Sequence, residues 1–323
     1  MTALAVVLDA GGSEVGRLMD AVERRMQAQV GGYGSLLGDL ASETLVAGGK
    51  RLRPLLVCLS AGVPPPEDAG LVSAAVAVEL VHAATLVHDD VLDGSSLRRG
   101  RPTVVASAGR RGATATGDLL FSRAFAELTD AGSIAAVRTL SRASSELVEG
   151  ELMQRADAWD VEVSIERYLE RCRLKTAVLF RAACELGAIE GGLDGGAVEM
   201  LGSFGEQLGI AFQLLDDVLD VSGPASRTGK PQGADLLDGT VTLPLIIART
   251  RNPELGRLEL RGVESEEEAL EACERIIATG ALDDARARAH VLVREAKSLT
   301  VALPERQHHV LELVADGVAE RYA

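Results

Sequence analysis

Apolar positions recur along nearly the whole chain at the three- and four-residue spacing of an amphipathic helix. The pattern predicts a helix from Glu14 to Gln29, stopped by Gly31-Gly32, and another from Leu36 to Ala47, ended by Gly48-Gly49. Pro54 suits the first turn of the next helix. Pro64-Pro65-Pro66 forces a break before a long helix from Glu67 to Leu92. Further helices are expected over 113–130, 133–158, 164–187, 194–221, 240–250, 265–279, 282–301 and 305–322. Period-2 alternation and hairpin dipeptides are missing, so no strand is predicted. The largest irregular segments, Gly94–Thr103 and Ser222–Gly239, each follow a run of aspartates. Neither a linker nor a short-period repeat interrupts the pattern. The expected architecture is all-α, one helical domain over residues 1–323.

Composition narrows the reading. Aromatic residues make up only 3% of the 323, so the core is to be built from Ala, Leu and Val, which suits close-packed helices. A net charge of −15 argues against a nucleic-acid partner. The apolar run from Leu71 to Val87 is broken by Glu79 and His82 and closed by His88-Asp89-Asp90, which predicts a buried helix rather than a transmembrane segment. Met1–Gly12 lacks the basic lead of a signal peptide. The four cysteines (58, 172, 184 and 273) have no CxxC spacing and are expected to be reduced, with a cytoplasmic location.

The candidate chemistry lies in a motif that occurs twice. Asp89-Asp90-Val91-Leu92-Asp93 and Asp216-Asp217-Val218-Leu219-Asp220 both read DDxxD at the end of a long apolar helix. Residues i and i+4 share a helix face, so Asp89 stacks with Asp93 and Asp216 with Asp220. Carboxylates so placed repel one another and oppose the helix dipole. A hard divalent cation compensates for this, and Mg²⁺ binds in that way, through one or two carboxylates plus substrate phosphates.

Basic residues form a second pattern. Gly48-Gly49-Lys50-Arg51-Leu52-Arg53-Pro54 is a cationic helix start suited to a diphosphate. Arg98-Arg99-Gly100-Arg101-Pro102-Thr103 follows the first acidic run, Lys175-Thr176 lies in an apolar helix, and Gly229-Lys230 follows the second run. Phosphate-binding charge therefore accompanies metal-binding charge in an otherwise acidic protein.

These motifs, together with GDLLFSRAF at 117–125, VEGELMQ at 148–154, KTAVLF at 175–180 and GKPQGADLLDGTVTLPLI at 229–246, resemble the trans-isoprenyl diphosphate synthases, the polyprenyl synthetase family. The resemblance implies an all-α bundle around a deep central cavity, usually a homodimer. It implies head-to-tail condensation of isopentenyl diphosphate with an allylic prenyl diphosphate, farnesyl or geranylgeranyl. Asp89, Asp90 and Asp93 would bind Mg²⁺ from one cavity wall, and Asp216, Asp217 and Asp220 from the other. Arg98, Lys175 and Lys230 would hold the allylic diphosphate; Lys50, Arg53, His82 and Arg99 would hold isopentenyl diphosphate. Lys175, Thr176 and Gln213 match catalytic positions, the latter two near the reacting carbons, and Asp235 matches a position supporting the second acidic run. Thr240 stands where many members carry Lys, which weakens any claim of a third lysine. His88 reads as a hydrogen-bonding spacer, with metal ligation as the alternative. His290, His308 and His309 carry no motif and are expected at the surface.

The same resemblance locates the determinants of chain length along the helix that ends at Asp89. Ala84 and Thr85 stand where short-chain members place a bulky aromatic, so the first gate is open. Val81, Leu80 and Ala77 come next, and the twelve residues from Asp89 to Ala77 span about 18 Å. The expectation is a C20 or longer product, medium to long. The alternative is a C20 stop imposed by Leu80 or by the helix near Ser144–Val148. Two remoter readings are a class I terpene cyclase, which needs no isopentenyl site, and a non-catalytic subunit of a two-component synthase, which would be expected to have lost motif residues.

Overall fold

The structure is a computed structural model, and it describes residues 3–31, 34–46, 49–63, 65, 68–98, 100–223 and 231–320. Among these, helices dominate: α1 Ala3–Gly11, α2 Ser13–Val30, α3 Gly34–Val46, α4 Leu52–Ser60, α5 Ala69–Asp93, α6 Val104–Asp130, α7 Ile134–Asp157, α8 Ile165–Cys172, α9 Val178–Glu190 and α10 Gly195–Ser222. They continue with α11 Ala234–Leu237, α12 Leu243–Arg251, α13 Pro253–Gly256, α14 Glu266–Ala278, α15 Ala281–Leu299 and α16 Glu305–Glu320. The chain divides into two compact units. Unit 1 comprises Met1–Ser144, Leu179–Gly205 and Lys297–Val314; unit 2 comprises Ser145–Val178, Glu206–Ala296 and Ala315–Ala323.

Unit 1 is organised on α5, which packs against α2, α4 and α6. Asp68 caps its start by accepting from the Gly70 N–H, and Gly94, at φ 65°, ends it in the left-handed conformation that a side chain resists. By length and composition α5 could cross a membrane, but 78% of its most apolar 18-residue stretch is buried in the fold. Unit 2 packs α8 against α12 and α11 against α14. Ser265 and Glu268 form a reciprocal capping box at the start of α14.

Four departures from the sequence expectation have local causes. Residues 3–11 form a helix that the pattern did not predict. The helix expected from 113 begins at Val104, because the Thr103 hydroxyl caps it by accepting from Ala106 N–H at 3.2 Å; Gly109, at φ 69°, breaks its regularity. The segment expected to be irregular after the first acidic run contains a minimal antiparallel ladder, Leu97–Arg98 (β1) with Arg101–Pro102 (β2), turned by Gly100. The single helix expected over 164–187 is α8 and α9 joined by one π-helical turn, Arg173–Ala177. All four cysteines are free and buried. Burial pushes the thiols of Cys58, Cys184 and Cys273 up to about 12, so they are poor nucleophiles at neutral pH.

Candidate active site

Each acidic run divides in the same way. In unit 1, at the end of α5, Asp93 is exposed and Asp89 half-buried, whereas Asp90 is only 4% exposed. Asp90 Oδ1 accepts from Arg98 Nε at 2.9 Å and Nη2 at 2.8 Å. In unit 2, near the end of α10, Asp216 is exposed and Asp220 half-buried, whereas Asp217 is 3% exposed. Asp217 instead accepts from Tyr168 O–H at 2.5 Å and from Gln213 Nε2 at 2.7 Å. Helical geometry explains the division: positions i and i+4 share the outer face, and i+1 turns inward.

Burial, followed by the charges of Asp235 and Asp216, pushes the Asp217 carboxyl well above the usual carboxylate range, while the Tyr168 and Gln213 hydrogen bonds pull it back. Tyr168, enclosed beside that carboxylate, is pushed up as well. The segment after α10 returns to the same place. Gly233 N–H donates to the Asp220 carbonyl at 3.0 Å, and Asp235 N–H reaches Asp220 Oδ2 at 3.4 Å. The Asp235 backbone thus stands against the second acidic run.

The π-turn carries Lys175 and Thr176, and turns of this kind concentrate at functional sites. Lys175 Nζ pairs with Glu151 Oε2 at 2.7 Å, and Thr176 Oγ1 donates to Gln213 Oε1 at 2.7 Å. Thr176, Gln213 and Asp217 are therefore joined, a link that their separation along the chain conceals.

In unit 1 a cavity of about 350 Å³ is bounded by α3, α5, the β1–β2 ladder and the first turn of α6. Its polar lining includes Arg51, Glu79, His82, Asp90, Arg98 and Arg101. Arg51 is at φ 47°, an uncommon conformation for a side-chain-bearing residue, and is held there by Glu23, by buried Glu79 and by the Leu45 carbonyl. Sequence reasoning did not single out Arg51, Glu23 or Glu79; an arginine between two proposed diphosphate ligands carries no signal of being a brace. Arg53 lies over the Phe180 ring at 4.7 Å, and its Nε is enclosed without a partner. Burial lowers its guanidinium to about 10 against the attraction of Glu79. Lys50 is exposed and His82 half-buried.

Of the remaining expectations, Ala77, Leu80, Val81 and Ala84 are fully buried along α5 and Thr85 is half-buried; none of the five lines this cavity. Arg99 and Lys230 lie outside the described residues. His88 stacks on Phe121, lies 3.4 Å from both the Thr114 carbonyl and Asp118, and crowds against Gly117. His290 and His309 are exposed, but His308 is half-buried between Thr300 and Glu312.

The donor chemistry fits Mg²⁺. Hard carboxylate oxygens stand in i, i+4 pairs on accessible helix ends, and this ion needs only one or two protein carboxylates if phosphate and water complete its shell. Among the described residues no three Asp, Glu, His or Cys side chains form a complete cage.

Comparison with known proteins identifies the family. The sequence profile of the family described as polyprenyl synthetase matches residues 35–279. Heptaprenyl diphosphate synthase component 2 of Bacillus subtilis is 36% identical over 306 residues, 94% of this chain and 88% of that protein. Geranylgeranyl diphosphate synthase of Methanosarcina mazei is 36% identical over 288 residues, 87% of this chain and 89% of that protein. Polyprenyl synthase of Caulobacter crescentus, solved with calcium and isoprenyl diphosphate, superposes with a TM-score of 0.92 at 36% identity, covering 98% of both chains.

Proposed function

Since the chain belongs to the polyprenyl synthetase family and is a prenyl diphosphate synthase, a prenyltransferase, we propose that it condenses isopentenyl diphosphate head-to-tail with farnesyl or geranylgeranyl diphosphate in an Mg²⁺-dependent reaction. The observation that carries this reading is the repeated division of the acidic runs, with outer aspartates accessible and the middle one braced from inside. Asp89, Asp93, Asp216 and Asp220 would hold the metal, and Asp90 and Asp217 would set the helix ends that present them. When bound, Mg²⁺ neutralises the allylic diphosphate and activates it as a leaving group.

The protein's own groups do the remainder. Lys175, paired with Glu151, and Arg98 supply positive charge to the leaving diphosphate, with Lys230 as a third cation. Lys50, Arg53, His82 and Arg99 bind isopentenyl diphosphate. Arg53 suits that task because a phosphate oxygen would satisfy its enclosed Nε. As positive charge develops on the allylic carbon, Thr176 and Gln213 offer oxygen dipoles to it. The isopentenyl double bond attacks that carbon, a proton leaves to the released diphosphate, and apolar walls exclude water. No protein nucleophile takes part. The chain would act as one polyprenyl synthetase domain over residues 1–323, and the working form is a homodimer in the cytoplasm.

Small residues on α5 favour a C20 or longer product. Ala84 and Thr85 leave the first level of the wall open, and Val81, Leu80 and Ala77 form the levels below. Relatives named for heptaprenyl and geranylgeranyl diphosphate lend support to this range. The experiment is to incubate the purified chain with Mg²⁺, isopentenyl diphosphate and farnesyl diphosphate, then size the products by mass spectrometry. Products of C20 and above are expected; a strict C15 stop overturns the open gate, and ionisation without consumption of isopentenyl diphosphate overturns the synthase reaction. A second reading, the catalytic half of a two-component enzyme, draws on the name of the Bacillus relative. Sustained turnover by the chain alone excludes it.

A further inference from the structure

One hydrogen-bonded chain in unit 2, buried at its Tyr168–Asp217 end, links a residue with no role in the reading above to the reacting centre. Tyr168 O–H donates to Asp217 Oδ2, Gln213 Nε2 donates to Asp217 Oδ1, and Thr176 O–H donates to Gln213 Oε1. The geometry sets the direction of every bond: the Tyr168 hydroxyl and the Gln213 NH₂ both point at Asp217 as donors. The Gln213 carbonyl then faces Thr176 and takes the threonine proton. The lone pairs of Thr176 Oγ1 are left pointing away from Gln213.

The covalent layout makes the arrangement stiff. Gln213 and Asp217 are i and i+4 on α10, stacked on one face. Tyr168 and Thr176 belong to a second segment, α8 and the π-turn that continues it. Two residues of one helix are therefore gripped at both ends by two residues of another. Tyr168 is fully enclosed, and the Arg171 guanidinium covers its ring at 5.5 Å. An apolar side chain would satisfy the packing there, so the hydroxyl needs a further explanation.

We propose that Tyr168 is a positioning residue for the condensation. Acting through Asp217 and Gln213, it fixes the direction in which Thr176 presents its oxygen lone pairs to the developing allylic cation. This rests on the placement of Thr176 and Gln213 beside the reacting carbons.

The test is Tyr168→Phe, which deletes one oxygen, at a temperature where circular dichroism shows every variant folded. Removing the hydroxyl that anchors this chain is expected to lower kcat by about tenfold or more. Calorimetric affinity for farnesyl thiodiphosphate stays within about twofold, because Tyr168 acts on orientation and not on substrate binding. Placed in a Gln213→Ala background, Tyr168→Phe has no additional effect on kcat, since the link is already cut. An unchanged kcat in Tyr168→Phe, beside a large loss in Gln213→Ala, overturns this inference alone. Full additivity of the two substitutions overturns it too. An unchanged kcat in Gln213→Ala overturns the placement of the reacting carbons, and this inference with it.

Discussion

Gly150 lies so close to the π-turn that a Cβ built on it would stand 2.6 Å from the Lys175 backbone nitrogen and 2.8 Å from the Leu174 carbonyl carbon. Both contacts are backbone, so no side-chain rotation relieves them. The absence of a side chain at 150 thus allows α7 to approach the turn that carries Lys175 and Thr176. Gly150→Ala is expected to displace that turn, costing about 1–3 kcal/mol of stability from overpacking. It should also lower kcat/KM for the allylic substrate by about tenfold or more, because small misplacements of reacting groups are expensive. Steady-state kinetics with thermal melting checks both.

Arg53 should show a trade between stability and binding. Burial lowers its folded-state pKa to about 10, below that of a free guanidinium, so the fold disfavours the charged form at every pH below about 10 and recovers that cost only as pH rises from there towards the unfolded-state value. Arg53→Met, which keeps the stacking on Phe180 but removes the charge, is expected to raise the melting temperature at pH 7. The same variant should increase KM for isopentenyl diphosphate by roughly a hundredfold, as a charge-assisted contact is lost. Inorganic diphosphate should stabilise the parent more than the variant in a melting assay.

Asp90 and Arg98 form a pair in which one partner is buried and the other about a third exposed. Arg98→Gln leaves a buried carboxylate without its cation, and a loss on the order of 2 kcal/mol is expected, partly relieved by solvent at Arg98. Asp90→Asn in the same chain should restore most of that stability. Urea denaturation of the double variant and of each single variant, Arg98→Gln and Asp90→Asn, measures the coupling. Asp93→Asn, on the exposed face, should leave stability within about 0.5 kcal/mol while abolishing metal-dependent turnover.

Ala84 is fully buried on α5, so a larger side chain there must intrude on neighbouring space. Ala84→Phe is expected to shorten the product distribution and to cost about 1–3 kcal/mol. Mass spectrometry of the products decides the first point; an unchanged distribution removes Ala84 from the wall of the chain-length channel.

Much of this protein is readable from residue order alone, because the signals are local. A 3.6-residue apolar period and glycine or proline stops locate most helices within a few residues, and DDxxD places its first and last aspartates on one face by helical repeat alone. Other features depend on what stands beside a residue in space. Thr103 starts α6 early because its hydroxyl finds the Ala106 amide, and Gly150 matters because of a segment more than twenty residues away. Asp90 and Asp217 occupy the same place in identical motifs, yet one is met by a guanidinium and the other by a phenol and an amide. Sequence determined the helical class, the acidic and basic motifs and the family they resemble. Tertiary structure decided which carboxylates face outward, which are braced and by what, because burial and hydrogen-bond pairing are made by packing between segments that the chain order keeps apart.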